Sequence, residues 1–210
     1  YSLTIGLYAS LIVVFAGIGF GVMCALNQNK FIDRFFMVLS TLGATIPSFV
    51  LATGFLFIFS KTLGWVPSFG VDTATGYIGP IVVIGAFSLS FITRLTRTSL
   101  LEVQQQDYIR TARSKGISEF KVTYKHALRN ALLPVITYVG PMVASIVTGS
   151  FVIEKVFGIP GVGSLFTNSI INRDYPLIMG ITVFFAILLI ISVLIVDFIY
   201  VLVDPRIKLD

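Results

Sequence analysis

Five stretches of this chain are apolar over the length that a helix needs to cross about 30 Å of hydrocarbon, roughly 20 residues. They cover residues 3–26, 35–60, 77–97, 131–153 and 177–203. Charge enters only at the end of the third, with Arg94 and Arg97, and near the end of the fifth, with Asp197. Helices of a soluble bundle carry a polar stripe, and these stretches have none. Charged residues make up 12% of the chain, about half the usual share, and mean hydropathy is +0.94. The fold expected is therefore all-α: a polytopic membrane helical bundle with five visible spans, one transmembrane domain over residues 1–210.

Glycine and proline recur inside the spans, as in Gly17-Ile18-Gly19-Phe20-Gly21 and Thr45-Ile46-Pro47-Ser48. Membrane helices tolerate both. Gly17 and Gly21 read as a close helix–helix contact, and Pro47 as a kink. The one cysteine, Cys24, lies in an apolar run and reads as a small buried hydrophobe. The first residue is Tyr1, without the charged start of a signal peptide, so a further segment is expected before it.

Lys and Arg in short loops mark the cytoplasmic face. With five spans, all 15 Lys and Arg residues except Lys61, Lys155 and Arg173 fall on one side. That side holds Lys30, Arg34, the segment 94–129, Arg206 and Lys208. It is expected to be cytoplasmic, with the visible N-terminus outside and the C-terminus inside. Trp65 and Tyr77 then fall in an outer loop, where interfacial aromatics are expected. The net charge of +5 belongs to these loops, and no nucleic-acid partner is expected.

One cytoplasmic loop, residues 98–130, is long and polar. It reads as two short helices. Asp107 is placed to cap the first, which runs on to Lys115, and Gly116 suits a left-handed stop. Ser118 is placed to cap the second, with Glu119 in its first turn. Ile117, Phe120, Tyr124, Ala127, Leu128 and Ala131 then share one face at helical spacing. Such a unit suits a protein-docking knob and a basic amphipathic pair on anionic lipid equally well. Charge and shape do not decide between them.

The residues themselves bear a resemblance. The run Asp107-Tyr108-Ile109-Arg110-Thr111-Ala112-Arg113-Ser114-Lys115-Gly116, followed by His126-Ala127-Leu128-Arg129-Asn130-Ala131-Leu132-Leu133-Pro134, resembles the EAA loop of binding-protein-dependent ABC importers. It is most similar to the oligopeptide/dipeptide permease branch, B-type subunit. Arg110-Thr111-Ala112 stands at the Glu-Ala-Ala positions; only Ala112 and Gly116 match the strict pattern, and the gap to Leu133-Pro134 is longer than usual. Both departures resemble the peptide branch. The run Glu154-Lys155-Val156-Phe157-Gly158-Ile159-Pro160-Gly161-Val162-Gly163 looks like an outer-loop signature of the same permeases, as do Asn172-Arg173-Asp174-Tyr175-Pro176 and Asp204-Pro205-Arg206.

This resemblance implies a MetI-like transmembrane domain in a bacterial or archaeal plasma (inner) membrane, with six spans in the full subunit, so that the first helix is expected to precede Tyr1. It implies four kinds of partner: a second homologous permease subunit, two ATPase subunits, an extracytoplasmic solute-binding protein, and peptide as substrate. No Gly-x-x-x-x-Gly-Lys-[Ser/Thr] phosphate loop occurs, so the chain is not expected to be an enzyme or to hold a cofactor. Docking to the ATPase is expected through Asp107, Tyr108, Arg110, Thr111, Ala112, Lys115 and Gly116, with Ala112 small enough to sit against a partner.

Hydroxyls within the spans are the candidates for a solute path between two permeases: Thr41, Thr45, Ser48 and Thr53, then Thr137, Ser145 and Thr148. At spacings of three or four they can share a helix face; equally, each can bond its own backbone. Asp197 sits near the cytoplasmic end of its span and reads as the partner of a basic loop residue. His126 is the single histidine, which leaves no metal or catalytic set. The outer segment 155–175 either dips toward the path or meets a binding protein. A self-contained channel or secondary transporter is the competing class, and would show internal symmetry or mid-membrane charges. A permease for nickel or another small solute is the near alternative.

Overall fold

The computed structural model describes residues 1–147 and 149–203, with side chains through residue 195 and that of Phe198. Thr148, the terminal 204–210 segment and the Asp197 side chain lie outside the described residues. Among the described residues ten helices follow one another: α1 Ser2–Leu26, α2 Phe31–Thr45, α3 Ser48–Thr62, α4 Ile78–Gln104, entered through a 3-10 turn Ala74–Tyr77, α5 Asp107–Ser114, α6 Glu119–Ala131, α7 Leu133–Val147, α8 Phe151–Phe157, α9 Val162–Ile171 and α10 Tyr175–Val203. No strand occurs among the described residues.

Among the described residues three helices are long and apolar enough to cross a membrane, and up to five spans result if each of two bent pairs counts as one. The stretch 35–60, read from sequence as a single span, is α2 and α3 meeting at 110°. The break falls at Ile46-Pro47, where Ile46 is extended. Proline has no N–H for the helix ladder and pushes its predecessor out of helical geometry, so the expected kink is a full corner. The stretch 131–153 is also divided. A 50° bend separates α6 from α7, the helix ends at Val147, and Phe151 begins a new one.

Close approach of α1 and α4 organises the bundle. Gly17 faces the Ile92 side chain, and a Cβ on Gly21 would lie 2.7 Å from the Thr93 carbonyl oxygen. Both glycines thus act as the contact read from their spacing. Buried side chains gather in three places. Ile5, Ala52, Val83, Ile153 and Phe157 pack at one end, Ala9, Val13, Ile92, Val135 and Met142 in the middle, and Val22, Ala25, Leu100, Ile109 and Ala131 under the polar loop. At the loop end Arg97 of α4 holds Asp33 of α2 through two hydrogen bonds, 2.6 and 2.7 Å. By contrast α10 leaves Met179, Val183, Ile187 and Ile190 exposed, as suits a surface turned to lipid or another membrane chain.

Candidate functional site

The polar loop folds back on the bundle as two helices joined at Gly116. Helix α5 starts with Asp107 as its first residue, and Gln106 rather than Asp107 occupies the capping position. Asp107 still lies where the helix dipole favours an anion. At the other end Gly116 has φ +74°. Its N–H donates to Arg113 O and the next N–H, of Ile117, donates to Ala112 O. This is a Schellman stop, which favours glycine because a Cβ is strained in the left-handed region.

Three contacts make the pair one unit. Arg113 donates from Nε and Nη2 to the two carboxylate oxygens of Glu119, at 2.9 and 3.3 Å. Asn130 Nδ2 donates to the Tyr108 hydroxyl at 2.8 Å, tying the start of α5 to the end of α6. Below them, Ile109 and Ala112 pack with Val22, Ala25, Leu100, Val122, Ala127 and Ala131. The platform therefore includes the end of α1 and the last turns of α4, so α5 is tied by buried contacts to two long helices.

Ala112, expected at the docking surface, is 8% exposed and faces its own chain, where its small side chain lets α5 lie close to the platform. The remaining predicted docking residues, Asp107, Tyr108, Arg110, Thr111, Lys115 and Gly116, are all exposed and form one outward surface.

On α6, Phe120 and Tyr124 do not share the face of Ala127 and Ala131: they are 71% and 45% exposed, with ring centroids 4.5 Å apart and planes tilted by 35°. A π-helical segment, Val122–Ala127, turns Val122, Thr123 and Ala127 inward instead. Wider winding shifts the helical register, and a period of 3.6 residues cannot anticipate it. The i,i+4 aromatic spacing was visible in the sequence; its direction was not.

The hydroxyl candidates divide. Thr41, Thr45, Ser48, Thr53, Thr137 and Ser145 are all exposed. Thr41, Thr45, Thr53 and Thr137 each donate to the carbonyl four residues before. The corner at Pro47 puts Thr41 and Thr45 on one helix and Ser48 and Thr53 on another, so they do not share a single helix face. Ser48 and Ser145, far apart in sequence, line one hollow.

At the opposite end from the loop, Glu154 is 1% exposed. It accepts from the Ser2 hydroxyl at 2.8 Å and from Ser164 N–H at 2.9 Å, while Ser2 Oγ accepts from Val162 N–H. Two first-turn amides of α9 are thereby satisfied by residues outside that helix. A Cβ on Gly161 would collide with the Glu154 carboxylate, a physical reason for glycine there. Among the described residues no group of three His, Cys, Asp or Glu side chains is placed to hold a metal ion.

Comparison with known proteins agrees with this architecture. Residues 17–209 match the family described as binding-protein-dependent transport system inner membrane component. The dipeptide transport system permease protein DppB of Bacillus subtilis (strain 168) is 50% identical over 208 residues, 99% of this chain and 68% of that protein. The oligopeptide transport system permease protein OppB of Haemophilus influenzae is 44% identical over 209 residues, again 99% of this chain and 68% of that protein. Among solved structures, an inward-facing MetNI methionine ABC transporter chain superposes with a TM-score of 0.76 at 19% identity, covering 97% of this chain and 93% of that one. The fold is thus MetI-like, and the chain belongs to the binding-protein-dependent transport system inner membrane component family, the membrane permeases of ABC importers.

Proposed function

We propose that this protein is a peptide-importing permease subunit that lines a translocation path together with a second, homologous permease. The observation that carries the peptide assignment is identity of 50% and 44% to dipeptide and oligopeptide permeases across nearly the whole chain. It favours peptide over nickel or another small solute. ATP hydrolysis belongs to two separate ATPase subunits, and capture of the solute to an extracytoplasmic binding protein. Asymmetry of Lys and Arg supports a cytoplasmic loop, with the visible N-terminus outside and the C-terminus inside.

On this reading the outward surface of α5, Asp107, Tyr108, Arg110, Thr111, Lys115 and Gly116, seats against an ATPase subunit, and Ala112 acts from beneath. A docking helix needs stiffness more than affinity. The Arg113–Glu119 and Asn130–Tyr108 contacts and the buried platform supply it. Reaction chemistry does not occur on this chain; its work is to convert closure of its partners into a movement of helices. The test is co-purification of the full-length chain with its co-expressed neighbours, followed by cross-linking from a cysteine at Thr111. An ATPase subunit caught by that cysteine supports the assignment. A complex without any ATPase sinks it.

A further inference from the structure

Two enclosed hydroxyls, Ser10 Oγ and Thr96 Oγ1, have no hydrogen-bond partner among the described residues, and a third, on Ser88, is unbonded but opens onto a hollow. Ser88 of α4 is 7% exposed as a residue, and its hydroxyl makes no hydrogen bond among the described residues. Its neighbours differ: Ser90 donates to Ala86 O and Thr93 to Leu89 O, each at 2.7 Å. A polar group left without a partner costs free energy; of these three hydroxyls Ser88 is the one that lines a hollow, where a partner can reach it from outside.

Ser88 lines a hollow of about 310 Å³ together with Ser48, Ser145, Ser150, Phe87 and Phe151. Four serines from four separate parts of the chain converge there. Ser48 begins α3 just past the Pro47 corner, and the first amides of a helix have no acceptor within it. Ser88 lies about 15 Å along α4 from Ile78, by helical rise, and so near the middle of a layer about 30 Å thick. Among the described residues no charged side chain lines the hollow.

We propose that this hollow is a subsite of the solute path that takes the uncharged main-chain amide groups of a transported peptide. Serine hydroxyls both donate and accept, which matches an amide N–H and C=O side by side. An ionised group placed there would meet no counter-charge at costly depth. The volume lies at the small end of ligand pockets, enough for one or two residues of a peptide. Main-chain amides are common to every peptide, so such a subsite is indifferent to side chains. This inference rests on the peptide reading given above.

The experiment uses the full-length chain in its complete complex in proteoliposomes, with ATP inside or outside as orientation requires and an alanyl dipeptide as probe. Ser88→Ala is expected to lower maximal uptake roughly 2- to 10-fold, the range for one lost hydrogen bond. The half-saturating concentration, set by the binding protein, and ATP hydrolysis without peptide should stay at wild-type values. Ser88→Thr should restore uptake, and Ser90→Ala, whose hydroxyl is already bonded within its helix, should leave it unchanged. Wild-type uptake by Ser88→Ala overturns the subsite while leaving peptide import intact. Loss of hydrolysis alongside uptake makes Ser88 a structural residue and also overturns it. Absence of peptide uptake by the wild-type complex defeats the peptide reading and the subsite with it.

Discussion

The Ser2 hydroxyl donates to Glu154 Oε1 at 2.8 Å, joining the first turn of α1 to a helix 152 positions later in sequence. The same oxygen of Ser2 accepts from Val162 N–H, so one small side chain serves both helices of the α8–α9 unit. Ser2→Ala is expected to destabilise the protein by about 1–3 kcal/mol, the cost of leaving buried groups unpaired. Glu154→Ala should do the same, because Ser164 N–H also loses its acceptor. Apparent melting temperatures of the full-length protein in detergent will show it. The double variant should lose less than the sum of the two single losses; strict additivity would mean the bond contributes nothing.

A second pair works at the other end. Arg97 donates to both carboxylate oxygens of Asp33, which is almost wholly buried while Arg97 is about one-fifth exposed. Removing one partner of a buried pair leaves an uncompensated charge, at about 3–5 kcal/mol; the partial exposure of Arg97 sets the lower end of that range here. Arg97→Ala is therefore expected to lower thermal stability by about 3 kcal/mol. Asp33→Asn combined with Arg97→Ala should recover part of that loss, measured by the same melting experiment.

Much of the fold was legible because its signals are local. Apolar runs of spanning length show as helices, Gly17 and Gly21 lie in the contact their spacing suggests, and Gly116 takes the left-handed stop. The rest depends on partners that are remote in sequence. Pro47 announces a bend without its size, since the 110° corner is set by how α2 and α3 each pack against α4. Phe120 and Tyr124 point outward because of a π-helical segment, whose register no fixed period encodes. Ala112 carries a family position, yet only the platform formed by Val22, Leu100 and Ala127 shows that it faces inward. The Ser2–Glu154 bond joins residues 152 apart.

Gly116 gives a test that separates backbone from packing. A Cβ there meets nothing within 4 Å, so substitution acts only through the left-handed φ, worth about 1–2 kcal/mol for an ordinary residue. Gly116→Val should leave the protein inserted in the membrane but reduce uptake per ATP hydrolysed. Gly116→Ala should do so less. Gly116→Asn, which tolerates this conformation best of the three, should lie nearest to wild type. Equal uptake per ATP across the three variants would show that the turn has no part in transmission.

The exposed Phe120–Tyr124 ring pair distinguishes docking from lipid contact. Phe120→Ser with Tyr124→Ser should change stability by no more than about 0.5 kcal/mol, as for surface positions generally. If the pair borders the ATPase seat, the double variant retains less ATPase on co-purification. If it rests on lipid, ATPase recovery is unchanged and binding of α5–α6 to anionic vesicles falls.

The most direct test of the account is uptake of a dipeptide into proteoliposomes holding the full-length chain and its partner permease, with and without the ATPase subunits. Uptake that appears only with ATPase subunits and hydrolysable ATP, and that falls when Gly116 is replaced by valine, is the predicted result. Peptide accumulation by the permeases alone, without ATP, would contradict it.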